Sequence, residues 1–238
     1  MPEASNKPEK TSNLRQRLKS VLSAIALLVI GLVVFADLFA DRAVRAAIES
    51  AASNALSVEV DVNDVDLALT RGKLVLRHIV MGNPPGYDHE QMLDLDRARV
   101  YVDAGSLLTD EIRIEDIKIE GIDITLEQNG TSNNIQDVLD SIEQREASEG
   151  KRLHIEKIRI HGVKVAVKAR AGGGNIDLMT MDLEPIMMSD VGSGKRLDMK
   201  GLSGLLFVTI AEAIVQQGMG QLPGEMLGTI SSTLGKTL

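Results

Sequence analysis

The sequence predicts an α+β fold that is mainly β: one N-terminal transmembrane helix, then a curved, mostly antiparallel β-sheet groove with amphipathic helices at its ends. Three observations predict it. An uncharged apolar segment lies near the N-terminus, and apolar residues alternate with polar ones through the middle of the chain. Helical periodicity returns towards the C-terminus.

The N-terminal apolar segment predicts a membrane anchor. No charged residue lies between Lys19 and Asp37, and apolar residues continue to Ala40. About 20 residues at about 1.5 Å each would cross a hydrocarbon core of about 30 Å. Five basic residues precede the segment, so the positive-inside rule predicts a cytoplasmic N-terminus. We therefore expect a bacterial inner-membrane protein with a single span, a cytoplasmic basic tail over 1–19 and an anchor over 20–40.

A cleaved secretory signal is the alternative. Val34-Phe35-Ala36 is an acceptable cleavage pattern, and the uncharged stretch is short for a span. Both alternatives place the rest of the chain outside the cytoplasmic membrane, in the periplasm.

The exported part divides into three predicted regions. Apolar residues at helical spacing predict an amphipathic connecting helix over 41–57. Alternation then predicts a β-groove domain over 58–202, interrupted by a short helix near 134–144. The C-terminal region, 203–238, predicts one or two amphipathic helices broken near Pro223. Few connections are long enough for parallel crossovers, so we expect a mainly antiparallel sheet of eight or nine strands.

An internal repeat predicts the shape of the sheet. Residues 112–127 (IRIEDIKIEGIDITLE) align without gaps on 153–168 (LHIEKIRIHGVKVAVK), and Gly121 falls on Gly162. A weaker third copy, 74–82, ends at Gly82. The apolar alternation shifts phase twice in each copy, which would turn a straight strand over. Bulges or bends at Glu115-Asp116 and Glu120-Gly121 would restore one apolar face on a curved sheet.

That apolar face is the candidate lipid-binding groove. It has neither aromatic nor charged residues, so it would solvate acyl chains while polar headgroups stay at its rim. The predicted lining residues are Ile112, Ile114, Ile117, Ile119, Ile122, Ile124 and Leu126 in the first copy and Ile155, Ile158, Ile160, Val163, Val165 and Val167 in the second. The alternative is an ordinary core, covered by residues 135–142 and 205–220.

The polar positions of the two copies have opposite charges. Acidic residues in the first copy match lysines in the second, which predicts cross-strand ion pairs on a solvated face. The three predicted pairs are Asp116 with Lys157, Asp123 with Lys164, and Glu127 with Lys168.

Composition argues against several functions. The chain has no Cys and only 2% aromatic residues, which excludes thiolate chemistry and disfavours base-stacking platforms. Its net charge of −8 argues against nucleic-acid binding, because an acidic surface repels the phosphate backbone. His154 and His161 lie at polar repeat positions, and no catalytic or metal-ligand motif is present. We expect no catalytic residues, no metal site and no cofactor.

Several motifs in order resemble the bacterial AsmA-like family. The first is the turn Gly82-Asn83-Pro84-Pro85-Gly86-Tyr87; Ser106-Leu107-Leu108 follows, and then the isoleucine pattern ending at Glu127. A stretch over 182–192 is also similar, although Glu184 stands before Pro185. The resemblance implies a short family member, anchored in the inner membrane, with a periplasmic groove acting in phospholipid transport or outer-membrane maintenance.

Two functions therefore remain open. In the first, the groove binds or presents lipid acyl chains. In the second, the chain is an anchored, non-enzymatic scaffold or assembly subunit, contacting other envelope proteins through its sheet edges or C-terminal helices. Nine strands about 4.8 Å apart give a groove of about 40 Å, too short to span a periplasm alone.

Overall fold

The structure is a computed structural model that describes residues 41–68, 71–143, 151–171, 174–193 and 196–237. The predicted basic tail and anchor lie outside the described residues. Residues 42–238 form one compact unit. In chain order its elements are α1 (41–56), β1 (Val60–Ala68), β2 (Lys73–Gly82), β3 (Gln91–Val102), a 3₁₀ turn (Ala104–Leu108), β4 (Glu111–Asn129), β5 (Ser132–Asn133), α2 (Asn134–Glu143), β6 (Arg152–Ala171), β7 (Gly174–Leu183), β8 (Ile186–Val191), α3 (Met199–Gly218) and α4 (Gly224–Thr237).

The strands form one mixed, eight-stranded sheet. Its order is β1-β2-β3-β4-β6-β7, with β5 beside β4 and β8 beside β6. Six of the seven described strand pairs are antiparallel, in agreement with the prediction of a mainly antiparallel sheet. The two long strands, β4 and β6, belong to the two repeat copies.

The pairing of β4 with β6 is parallel, the one parallel pair among the seven described strand pairs. Ile112 lies opposite Leu153 and Leu126 opposite Val167, so the two copies stand side by side in register. The connection between them contains α2, which provides the helical crossover that a parallel pair requires.

Two lines of bends cross the sheet at the predicted places. At the first, Glu115 is an extra residue opposite β3, because Tyr101 pairs with Asp116 and Val102 with Ile114. At the second, Gly121 and Gly162 have φ values of +72° and +68° and lie side by side. The predicted bulges or bends at Glu115-Asp116 and Glu120-Gly121 are therefore confirmed.

The second bend also extends into β2, where it corrects the alignment of the third repeat copy. His78, with φ +50°, lies between the pairs Arg77–Arg97 and Ile79–Leu95, at the level of Gly121. The residue of β2 equivalent to Gly121 is therefore His78 and not Gly82. The sequence alignment was wrong because it matched glycines, whereas the backbone conformation recurs here on a histidine.

At one edge of the sheet, α1 runs antiparallel to β1. The Ser53 hydroxyl accepts a hydrogen bond from the Val60 N–H at 2.9 Å, and a Glu49 carboxylate oxygen accepts one from the Val62 N–H at 2.9 Å. Arg45 donates to the carbonyl of Asn63. Side chains of α1 therefore satisfy backbone groups of β1 that would otherwise be unpaired.

The C-terminal helices differ from the predicted amphipathic pair. α3 contains only Lys200 and Glu212 as charged residues and buries nine of its residues, so its apolar surface extends around the helix. α4 packs against α2, and the Asn133 amide donates to the Thr229 hydroxyl at 2.8 Å. Within the described residues, α3 is the one helix long and apolar enough to cross a membrane.

Candidate functional site

The predicted lining residues do share one face of the sheet. Because both lines of bends restore the phase, all thirteen side chains point to the same side of β4 and β6. Twelve of them are buried, and Ile112, at the start of β4, is partly buried. Ile155, Ile158 and Val165 have no exposed surface. These thirteen residues therefore form one apolar face in the structure, while their binding of lipid stays a prediction.

Helices cover this face in the structure, so it is not an open groove. Phe207, Ile210, Ala211 and Ile214 of α3 approach Met92, Leu93 and Ile124 of the sheet and Ile135 of α2 around a cavity of about 10 Å³. A cavity of about that size is at the lower limit for one water molecule. The covering elements are those named in the alternative prediction, residues 135–142 and 205–220.

The turn motif Gly82–Tyr87 closes one end of the sheet through a buried polar cluster. Its centre is Glu127, whose side chain has no exposed surface. One carboxylate oxygen accepts a hydrogen bond from the Asp88 N–H at 2.8 Å, and the other lies 3.0 Å from His89 Nδ1. Glu127 was predicted to pair with Lys168 on a solvated face, and this prediction is wrong. Lys168 instead contacts Asp177 at 3.1 Å.

Asn134 joins this cluster to α2. Its side-chain oxygen accepts hydrogen bonds from the N–H groups of Glu127 and Ile135, both at 3.0 Å. Its amide donates to the Asn83 side chain at 2.9 Å and to the Thr125 carbonyl at 2.7 Å. The asparagine therefore satisfies groups from β4, from the start of α2 and from the turn motif, which explains its complete burial.

Tyr87 ties the same turn to the side of α2. Its hydroxyl donates to an Asp137 carboxylate oxygen at 2.6 Å. Burial, and then this hydrogen bond and the charge of Asp137, raise the pKa of Tyr87 far above its usual value. The phenol therefore stays protonated and keeps the turn attached to the helix at neutral pH.

Sequence reasoning missed this cluster because its members look like ordinary polar residues. In the structure Leu126 and Glu127 are adjacent and both buried, which breaks the alternation of β4, whereas in the sequence an apolar residue followed by a charged one continues it. A sequence does not show that a loop from another strand will cover the second of them.

The opposite face of the sheet is charged. Asp116 forms an ion pair with Arg159, at 2.5 Å, and not with the predicted Lys157. Asp123 does lie opposite Lys164 in register. At the second line of bends, a depression of about 380 Å³ is lined by Arg77, His78, Asp96, Arg97, Glu120 and Gly121.

These features define a class of protein: a repeat-built, bent sheet with a continuous apolar face and a charged outer face. The model of the AsmA family matches residues 14–195. The match covers most of the chain, and the chain belongs to the AsmA family. Membership indicates a membrane-associated protein with an envelope- or lipid-related function. No curated protein matches the chain.

Proposed function

We propose that this protein is anchored in the bacterial inner membrane through residues 20–40 and uses its periplasmic sheet to bind or present lipid acyl chains. The role that follows is in phospholipid transport or outer-membrane maintenance. The observation that supports it is the continuous apolar strip on β4 and β6, to which both repeat copies contribute. Family membership supports the same proposal.

Lipid binding at this face requires α3 to move. The cavity under α3 is about 10 Å³, far smaller than an acyl chain. An acyl chain would take the place of Phe207, Ile210 and Ile214 against the sheet. The apolar face would then contact lipid in place of α3. Such an exchange costs little transfer free energy because both occupants are apolar.

A covalent lock on α3 tests this proposal. The Thr209 hydroxyl lies 3.5 Å from the Met188 sulfur, so Met188→Cys/Thr209→Cys places two thiols at the contact between α3 and β8. The chain has no native Cys, so a short bifunctional thiol reagent would join only these two positions. The full chain in membranes is then exposed to a phospholipid with a photoactivatable acyl chain.

We expect labelling of peptides from β4 and β6 in the unlocked protein and loss of that labelling after cross-linking. Each single-Cys variant treated with the same reagent is the matched control. Labelling that is confined to 20–40, or that persists on β4 and β6 after locking, would contradict the proposal.

The second candidate function is the anchored scaffold or assembly subunit. The covered apolar face favours it, because a closed core needs no ligand. Among the described strands, none pairs with the outer side of β7 or β8, which leaves an edge for a partner strand. The scaffold function would be supported if the photoactivatable lipid labels neither β4 nor β6 and if changes in β7 abolish the contact with other envelope proteins.

A further inference from the structure

One end of the sheet has a composition unlike the rest of the molecule. We call it the Leu108 end: the 3₁₀ turn Ala104–Leu108, the start of β4, the start of β6 and the residues around Gly72. The Leu108 side chain is 93% exposed, more than any other large apolar side chain among the described residues. Met199, at the start of α3, is 39% exposed. Leu153 N–H donates to the Leu197 carbonyl, which places the start of α3 beside the start of β6.

The turn that presents Leu108 is firmly built. The Asp103 carboxylate accepts a hydrogen bond from the Gly105 N–H at 2.9 Å, and the Ser106 hydroxyl donates to the Asp103 carbonyl at 2.6 Å. That hydroxyl also accepts from the Arg113 N–H at 2.9 Å. The exposure of Leu108 is therefore set by a hydrogen-bonded turn, which holds this apolar side chain outwards at the end of the sheet.

Basic residues lie at the same end as this leucine. Lys151 Nζ donates to the Leu107 carbonyl at 2.8 Å. Arg113, 4.0 Å from a Glu111 carboxylate oxygen, is 64% exposed. Gly72 is hydrogen-bonded to Val102, next to the turn, which brings its neighbours Arg71 and Lys73 to the same end. The net charge of this end is +2, whereas the whole chain has a net charge of −8. The five cations are Arg71, Lys73, Arg113, Lys151 and Arg152, and the three carboxylates are Asp103, Asp110 and Glu111. Nearer α3, Arg196 and Lys200 balance Asp190 and Asp198.

The direction of α1 brings the start of the folded unit towards this end. Because Arg45, Glu49 and Ser53 contact Asn63, Val62 and Val60 in that order, α1 runs opposite to β1. β1 ends at Ala68, beside Lys73. The N-terminal end of α1 therefore faces the Leu108 end, and the predicted anchor stops at residue 40, directly before α1.

We propose that the Leu108 end docks on the anionic headgroup surface of the bilayer that holds the anchor, with Leu108 inserted among the lipids and the basic side chains on lipid phosphates. This inference rests on the membrane attachment of the proposed function and not on lipid binding under α3. Apolar insertion combined with cationic side chains is a general mode of interfacial binding. The docked sheet stands upright, with the start of α3 beside the membrane.

The absence of Trp from the chain makes the test direct. Leu108→Trp places a single tryptophan at the proposed contact, and Thr131→Trp places one at an exposed turn at the other end of β4. The full chain is reconstituted in nanodiscs of phosphatidylcholine alone or mixed with phosphatidylglycerol, each containing a spin-labelled lipid quencher. Co-purification of protein with the discs reports membrane attachment separately from docking.

At position 108 we expect blue-shifted tryptophan emission and strong quenching by the labelled lipid. The quenching should be stronger by about twofold or more in the anionic discs than in the phosphatidylcholine discs. At position 131 we expect neither the blue shift nor the quenching. In the Leu108→Trp protein, Arg71→Glu/Arg152→Glu should remove the anionic preference, while Arg97→Glu/Lys164→Glu, the same charge change on the charged face, should preserve it. Water-like emission at position 108 in attached protein, or equal quenching at 108 and 131, would overturn the docking and leave the anchor intact. Equal quenching in both lipids would overturn the charge recognition.

Discussion

Gly121 combines two requirements that only glycine meets. Its φ of +72° is left-handed, and a Cβ there would lie 2.9 Å from Asp96 Cγ and 3.0 Å from Asp96 Cβ. Gly130 has a similar φ of +63° but open space around it. The pair therefore separates backbone strain from steric conflict at the bend.

We expect Gly130→Ala to lower the free energy of unfolding by about 1 kcal/mol, the cost of a left-handed alanine. Gly121→Ala should lower it by about 2–3 kcal/mol, because the Asp96 side chain must also move away from the new methyl group. Urea denaturation of both variants measures the difference. Equal losses would show that the bend tolerates a side chain.

His78 lies in β2 at the same level as Gly121, and it shows how far the backbone conformation of a residue can be predicted from the sequence. The sequence places the bend correctly on the strands that have glycine there. It misses β2 because a histidine in the left-handed region has no distinctive pattern. The conformation of His78 coincides with the bend at Gly121 across the sheet, and local preference gives no signal for it.

Among the secondary-structure elements, the turn that contains Tyr87 depends on a protonated phenol. Because the folded pKa is raised, the stabilisation is complete below the unfolded pKa of about 10 and is lost as pH rises above it. Tyr87→Phe removes the hydrogen bond to Asp137 and should lower stability by about 1–2 kcal/mol at neutral pH.

The stability difference between wild type and Tyr87→Phe should then shrink as pH rises above about 10. Denaturant titrations between neutral and alkaline pH measure this trend. Tyr101→Phe, at the other tyrosine of the chain, shows whether the trend belongs to position 87. A constant difference at every pH would mean that ionisation of Tyr87 does not open the turn.

The predicted elements also show which information is local. The strands, α2 and the phase shifts follow from apolar spacing, which a single chain segment contains. The parallel direction of β4 and β6 does not, because in-register alternation is the same for parallel and antiparallel neighbours. The burial of Glu127 is not local information either, because it depends on the loop that follows β2.

At the scale of the folded unit, one edge of the sheet is covered by a helix and the other is not paired with a described strand. α1 caps β1 through Glu49 and Ser53, whereas no described strand pairs with the outer side of β7 or β8. Glu49→Ala/Ser53→Ala would expose the N–H groups of Val60 and Val62 and create a second edge able to pair.

We expect this double variant to form larger assemblies than wild type at rising concentration, measured by light scattering of the full chain in detergent. Ser50→Ala is the matched control, because Ser50 lies on α1 but hydrogen-bonds Asn54 and not β1. An unchanged mass for the double variant would show that α1 blocks the edge by its bulk and not by these two side chains.

The side-by-side glycines of β4 and β6 also bear on how such a sheet changes size. A Cβ on Gly162 would lie only 3.6 Å from Gly121 N, so the bends of neighbouring strands coincide. A further strand with the same spacing would adopt the same bend by pairing in register, without any change to the strands already present. Added strands would therefore lengthen the sheet in the direction perpendicular to the strands, while the bent profile of each strand stays the same.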